Sequence, residues 1–134
     1  MSSHRERELT GKRILCVEDD EDTCEALAEL LRQPGHQVVT AYTVAQGLHL
    51  AQARDFDLII LDNWFKVSSG VELCRQIREF DTETTILFYS AAAYDTDIEA
   101  GLRVGADAYV TKPDFEEFRQ AVTQMLSSRR KEKP

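Results

Sequence analysis

This chain is poor in the features that would tie it to export, membranes or metal-thiolate chemistry. Its three cysteines, Cys16, Cys24 and Cys74, cannot all pair within one chain. They have neither CxxC spacing nor neighbouring histidines, so they read as small apolar side chains rather than a disulfide framework or a zinc site. Long apolar runs are also missing. The aliphatic stretch Leu58-Ile59-Ile60-Leu61 is typical of the longest, far short of the about 20 residues that span a bilayer. The first residues, MSSHREREL, are charged and lack the apolar centre of a secretory signal. The expected compartment is therefore the cytoplasm, with no membrane association. Positive charge is scarce except at the ends: residues 1–13 carry +2 and residues 127–134 carry +3, which leaves −13 on residues 14–126 for a net −8. So acidic a body repels nucleic acid phosphates and suits cations or basic partners; no direct nucleic acid contact is expected.

What is present is material for one core. The 134 residues are 43% hydrophobic and 30% charged, enough for a single packed domain and too few for two of ordinary size. The expected organisation is a flexible N-terminal segment over 1–12, a domain over 13–127 and a solvated basic tail over 128–134.

Short β-rich runs fall at 14–18, 37–41, 57–61, 85–89 and 108–111. Between them, apolar residues recur at helical spacing: Cys24, Leu27, Ala28 and Leu31, then Leu73, Cys74 and Ile77, then Phe118, Ala121, Val122 and Met125. Thr43 with Gln46 has the spacing of a capping box, and Gly35 stands where a left-handed cap would end the first helix. Strands alternating with helices require right-handed crossovers and so a parallel sheet covered on both faces, an α/β doubly wound fold of five strands. In such sheets ligands bind beyond the carboxyl ends of the strands, where the strand order reverses.

Those ends are chemically equipped. Glu18, Asp19 and Asp20 follow the first strand, Asp62 the third, Ser90 the fourth and Lys112-Pro113 the fifth; the second ends in Ala41-Tyr42 with nothing comparable. Carboxylates converging on one point repel unless a hard divalent cation with oxygen ligands lies between them, and magnesium is the leading candidate. A hydroxyl and an ammonium opposite suit a phosphoryl group. Asp20, Glu21 and Asp22 have a plainer reading, as acids favoured at a helix N-terminus. His4, His36 and His49 are scattered and read as surface residues.

The segments ILCVEDDED, DLIILDNWFKVSSGVEL, ILFYSAA and AYVTKP, in this order and at these strand ends, resemble the receiver domain of bacterial two-component response regulators. The resemblance covers residues 13 to about 126. It implies a flavodoxin-like sheet in the order 2-1-3-4-5, which the residues alone do not supply. It implies that Asp62 is the phosphoacceptor, attacking the phosphorus of a kinase's phosphohistidine or of a small donor. Asp19, Asp62 and the main-chain carbonyl of Trp64 would ligate Mg2+, with Glu18 holding a metal-bound water. Lys112 would pair with the phosphoryl oxygens and Ser90 would donate to one of them. The Lys112-Pro113 peptide resembles one that is cis in the family. Tyr109 matches an aromatic switch position, expected to turn into space that Ser90 vacates and so to repack the face of the fourth helix, fifth strand and fifth helix.

The implied role is a phosphoacceptor signalling protein of a two-component system or phosphorelay, not an enzyme beyond self-phosphorylation and autodephosphorylation. Its partners would be a histidine kinase or histidine phosphotransfer protein and a downstream protein on that face, with a phosphorylation-dependent homodimer as a further option. The eight residues from Ser127 cannot form a DNA-binding unit, so the chain reads as a stand-alone receiver or as part of a longer regulator. Glu18 stands for the commoner Asp, Lys66 for a usual proline and Ser69 for a frequent acid, and Trp64 is unusually bulky. A flavin carrier of the same fold would need a phosphate-cradling Ser/Thr/Gly loop where Glu18-Asp19-Asp20 stands. A haloacid-dehalogenase-type phosphatase would need an acid at position 64. The remaining alternative is an unphosphorylated receiver-like interaction module.

Overall fold

Leu58, Ile59, Ile60 and Leu61 are all buried, which only a strand covered on both faces permits. They form the centre of a five-stranded parallel sheet in a computed structural model that describes residues 11–127. The elements in chain order are β1 (Arg13–Val17), α1 (Glu21–Arg32), β2 (Gln37–Ala41), α2 (Val44–Ala53), β3 (Leu58–Leu61), α3 (Gly70–Arg78), β4 (Thr85–Ser90), α4 (Asp95–Arg103), β5 (Ala108–Thr111) and α5 (Phe115–Ser127). The sheet order is β2-β1-β3-β4-β5, as the resemblance implies. The segment expected over 1–12, apart from Gly11 and Lys12, lies outside the described residues, as do the tail 128–134 and His4. Among the described residues no helix is long and apolar enough to cross a membrane.

The sheet divides the apolar interior in two. Cys16, Cys24, Leu27, Leu31, Leu58, Ile60, Tyr89, Phe118 and Val122 join α1 and α5 to one face. Leu15, Ile59, Leu61, Leu73, Cys74, Ile77, Ile86 and Phe88 join α2, α3 and the α4 end to the other. Strand alternation decides which residue serves which side. Cys16, Cys24 and Cys74 are buried and joined in no disulfide, as their apolar reading requires.

The helix starts follow local chemistry. Asp20 is the N-cap of α1, its carboxylate accepting from Thr23 N–H at 3.0 Å. Thr43 caps α2 by accepting from Gln46 N–H, but the Gln46 side chain accepts from Tyr42 N–H at 3.0 Å, one residue earlier than a capping box requires. Ser69, at the position where an acid is frequent, caps α3 by accepting from Glu72 N–H. Gly35 adopts φ 100° after α1, where its lack of a Cβ removes the strain.

Two expectations need correction. The first strand ends at Val17 rather than Glu18, and the fourth runs on to include Ser90. His36 is not a surface residue: it is 7% exposed, beside a groove lined by Leu31, Phe118 and Leu126, and its Nδ1 accepts from Lys12 N–H at 3.2 Å. It sits between the end of α1 and the start of β2, with Lys12 just before β1 bonded to its ring. His49 is exposed as expected.

Candidate functional site

The pairing of strands brings the equipped ends together. Val17 sits opposite Leu61, Leu61 opposite Phe88 and Ser90 opposite Thr111 in the parallel register. Main-chain bonds carry the alignment just past the strand ends: Glu18 N–H donates to Ala41 O, Asp62 N–H to Val17 O and Lys112 N–H to Ser90 O. The strand that lacks a chemical group, β2, lies at the edge, and the other four are contiguous.

Carboxylate oxygens of Glu18, Asp19 and Asp62 all lie within 4.8 Å of one another. Glu18 and Asp62 are buried and Asp19 is half-buried. Lys112 answers this charge. Its Nζ donates to Glu18 Oε1 at 2.5 Å and lies 3.9 Å from Asp62 Oδ2. The other Glu18 oxygen accepts from Asp20 N–H at 3.1 Å. Burial pushes the Glu18 carboxyl up, and the Asp62 charge adds to this, against the opposing bonds from Lys112 and Asp20. Burial alone would depress the Lys112 ammonium, but its bond to Glu18 and the charges of Asp62 and Glu18 more than offset that, so the net shift is upward. With three carboxyl groups around one lysine, the pocket carries more acidic than basic groups.

Ser90 is fully buried, and its Oγ accepts from Asn63 N–H at 3.2 Å and Ala92 N–H at 3.1 Å. Tyr109 is half-buried with its hydroxyl inside, donating to Ala92 O at 2.6 Å, and its ring stacks on Phe88. The Lys112-Pro113 peptide is cis, as the resemblance implies. Trp64 pairs with Ser69 in an isolated antiparallel bridge, and its indole is 57% exposed, as Lys66 beside it is exposed.

The sequence reading missed Asn63. Standing beside Asp62, it passes as a turn residue, yet it is buried and its N–H donates to Asp62 Oδ1 at 2.8 Å. Gly70 shows why its backbone comes so close: an added Cβ would lie 2.1 Å from the Asp62 carbonyl and 2.9 Å from Asn63 Cα.

The architecture is a flavodoxin-like sheet carrying an acidic, lysine-bounded pocket at its switch point. A family model described as the response regulator receiver domain matches residues 14–123, and the chain belongs to that family. The transcriptional regulatory protein DltR of Streptococcus agalactiae is 37% identical over 101 residues, 75% of this chain and 45% of DltR, so the chain spans less than half the length of that curated relative. The non-phosphorylated HemR receiver domain of Leptospira biflexa superposes with a TM-score of 0.81 at 31% identity, covering 87% of this chain and 95% of that one. The response regulator TrrA of Thermotoga maritima, solved in complex with Mg2+-BeF, gives 0.77 at 31%, covering 85% and 98%. The chain is thus a two-component receiver with a phosphoacceptor signalling role.

Proposed function

We propose that Asp62 is the phosphoacceptor and that the carboxylates around it hold Mg2+. The observation that carries this is the convergence of Glu18, Asp19 and Asp62 oxygens within 4.8 Å, with Lys112 at their edge. The donor set is oxygen only, with an excess of negative charge, and fits a hard divalent cation. Asp19 and Asp62 would hold it directly with the Trp64 carbonyl, and Glu18 through a water. When bound, magnesium neutralises oxygen charge on the transferring group.

The chain's own residues do the rest. Asp62 offers a carboxylate oxygen to the phosphorus of a histidine kinase or histidine phosphotransfer protein; the oxygen–phosphorus bond forms as the bond to the imidazole nitrogen breaks. Lys112 supplies a fixed positive charge to the phosphoryl oxygens. Ser90 donates its hydroxyl to one of them, which requires its oxygen to leave the N–H groups of Asn63 and Ala92. The relative TrrA, 31% identical and titled as a Mg2+-BeF complex, supports this reading. Autodephosphorylation then returns the site to its starting state.

The output is protein contact through α4, β5 and α5, where Tyr94 and Leu102 of the α4 region are exposed apolar groups. A homodimer formed on phosphorylation would use the same face. Transcriptional control, named in the titles of the curated relatives, is a second reading, reached through the part of those proteins that this chain does not span.

The test is intact-mass measurement after acetyl phosphate or phosphoramidate, with and without Mg2+. One phosphoryl group is expected with Mg2+, none without it and none in Asp62→Asn. Labelling that persists in Asp62→Asn overturns the assignment and leaves the interaction-module alternative.

A further inference from the structure

Asn63 follows the acceptor directly and is 5% exposed. Its amide has one workable orientation. Val71 N–H can only donate, so the amide oxygen faces it, and Oδ1 accepts that bond at 3.1 Å. The amide nitrogen is thereby aimed across the pocket, where Nδ2 donates to the Tyr109 hydroxyl at 3.3 Å. That hydroxyl spends its own proton on Ala92 O, so the three groups form a chain of fixed direction. The main chain of the same residue binds Asp62 Oδ1, Ser90 Oγ and, through its carbonyl, Gly70 N–H. One residue therefore touches the acceptor, the serine, the first turn of α3 and the tyrosine.

This supplies Tyr109 with a donor and an acceptor inside the fold, and neither depends on a phosphoryl group. The ring has room there: it stacks on Phe88 with centroids 5.1 Å apart, and Gly101 of α4 leaves space that a Cβ, 3.0 Å from the ring, would crowd. We infer that Asn63 is a positioning residue that holds Tyr109 inward before phosphorylation, so that the receiver is preorganised for the phosphoryl group. The inference rests on the reading of Asp62 as phosphoacceptor and Tyr109 as its switch. The apparent affinity for a phosphoryl mimic falls with the population of the competent arrangement, so a latch on the inward ring tightens it.

The experiment uses the full chain carrying 3-fluorotyrosine, with the Tyr109 resonance assigned by Tyr109→Phe, and beryllofluoride with Mg2+ as the probe. Asn63→Leu, similar in size and without the donor, is expected to move the Tyr109 resonance in metal-free protein. It should also raise the apparent Kd for beryllofluoride about fivefold, the effect of one lost hydrogen bond. In the Tyr109→Phe background the same substitution should change affinity by about twofold or less, because the hydroxyl it serves is gone. An equal loss in both backgrounds, or an unmoved Tyr109 resonance, overturns the inference.

If Asn63→Leu does not fold, Tyr109→Phe alone still decides. The Asn63 side-chain amide protons are expected to lose protection from solvent exchange, and unchanged protection overturns the link. A wild-type chain that does not bind beryllofluoride with Mg2+ overturns the phosphoacceptor reading instead, while the fluorine and exchange measurements continue to test the Asn63–Tyr109 bond.

Discussion

Lys112 is bound to Glu18, at 2.5 Å, rather than to the proposed acceptor Asp62, 3.9 Å away. On the proposed reading the ammonium would change partners when a phosphoryl group arrives, and its two roles would pull in opposite directions. Before transfer it would compete with a cation for the carboxylates; afterwards it would stabilise the phosphoryl oxygens. Lys112→Met is expected to bind Mg2+ at least as tightly as the wild type, because a positive charge has been removed from the pocket. The same variant should bind beryllofluoride about tenfold more weakly, which corresponds to about 1.4 kcal/mol. Paired titrations check this, and a loss of Mg2+ affinity would contradict the competition.

Both Glu18 oxygens already accept bonds, one from Lys112 and one from Asp20 N–H. Asp19 carries no such pair of bonds at the mouth of the same cluster. Asp19→Asn should therefore weaken Mg2+ binding more than Glu18→Gln does, by about tenfold against a few-fold. Calorimetric titration in low salt gives the order, and the reverse order would exchange the roles of the two residues.

Trp64 is the only tryptophan in the chain, stands two residues past Asp62 and is 57% exposed. Its main chain is tied to Ser69 at the start of α3, so a change at Asp62 reaches it through a short, braced loop. Mg2+ or beryllofluoride is expected to change the intrinsic fluorescence, and one fluorophore reports one place. Trp64→Ala should hydrolyse its aspartyl phosphate faster, by about several-fold, if the indole shields the line of water attack. Fluorescence that stays flat at saturating Mg2+, with an unchanged hydrolysis rate, would assign the side chain to partner contact.

His36 makes stability depend on pH. Burial, together with the charge of Lys12, holds its pKa below the ordinary value of about 6.5, and neutral Nδ1 is needed to accept the Lys12 N–H. A folded-state pKa below the unfolded one means that the folded chain binds fewer protons. The contribution of His36 is therefore present above about pH 6.5 and is lost as pH falls through the lowered folded value. Denaturant melts should show a loss of stability on acidification that His36→Asn, which keeps an acceptor and cannot titrate, removes.

The strands and the site were legible in the sequence for the same reason. A buried parallel strand is written as a continuous apolar run, and the residue after each run marks the carboxyl end, so Glu18, Asp62 and Lys112 could be placed without knowing their neighbours. Local caps were legible too, because Asp20 and Thr43 bond to N–H groups three residues on. What escaped was partner choice over distance. Lys112 reaches Glu18 across 94 positions, Asn63 reaches Tyr109 across 46 and His36 meets Lys12 across 24. No local pattern announces such bonds, so Asn63 went unnoticed and a buried histidine was taken for a surface one.

The sheet that splits the core also acts as a wall between two neighbourhoods. Tyr109 and Phe88 belong to the side of α2, α3 and α4, whereas Tyr89 and Phe118, one strand position and one helix away, belong to the side of α1 and α5. A shift of Tyr109, the proposed switch, would meet the first neighbourhood before the second. Within the proposed α4–β5–α5 output surface, the α4 edge is thus the part packed against Tyr109. The α1 flank lies across the strands from Tyr109, so a phosphodonor docked there would be screened from the ring by the sheet.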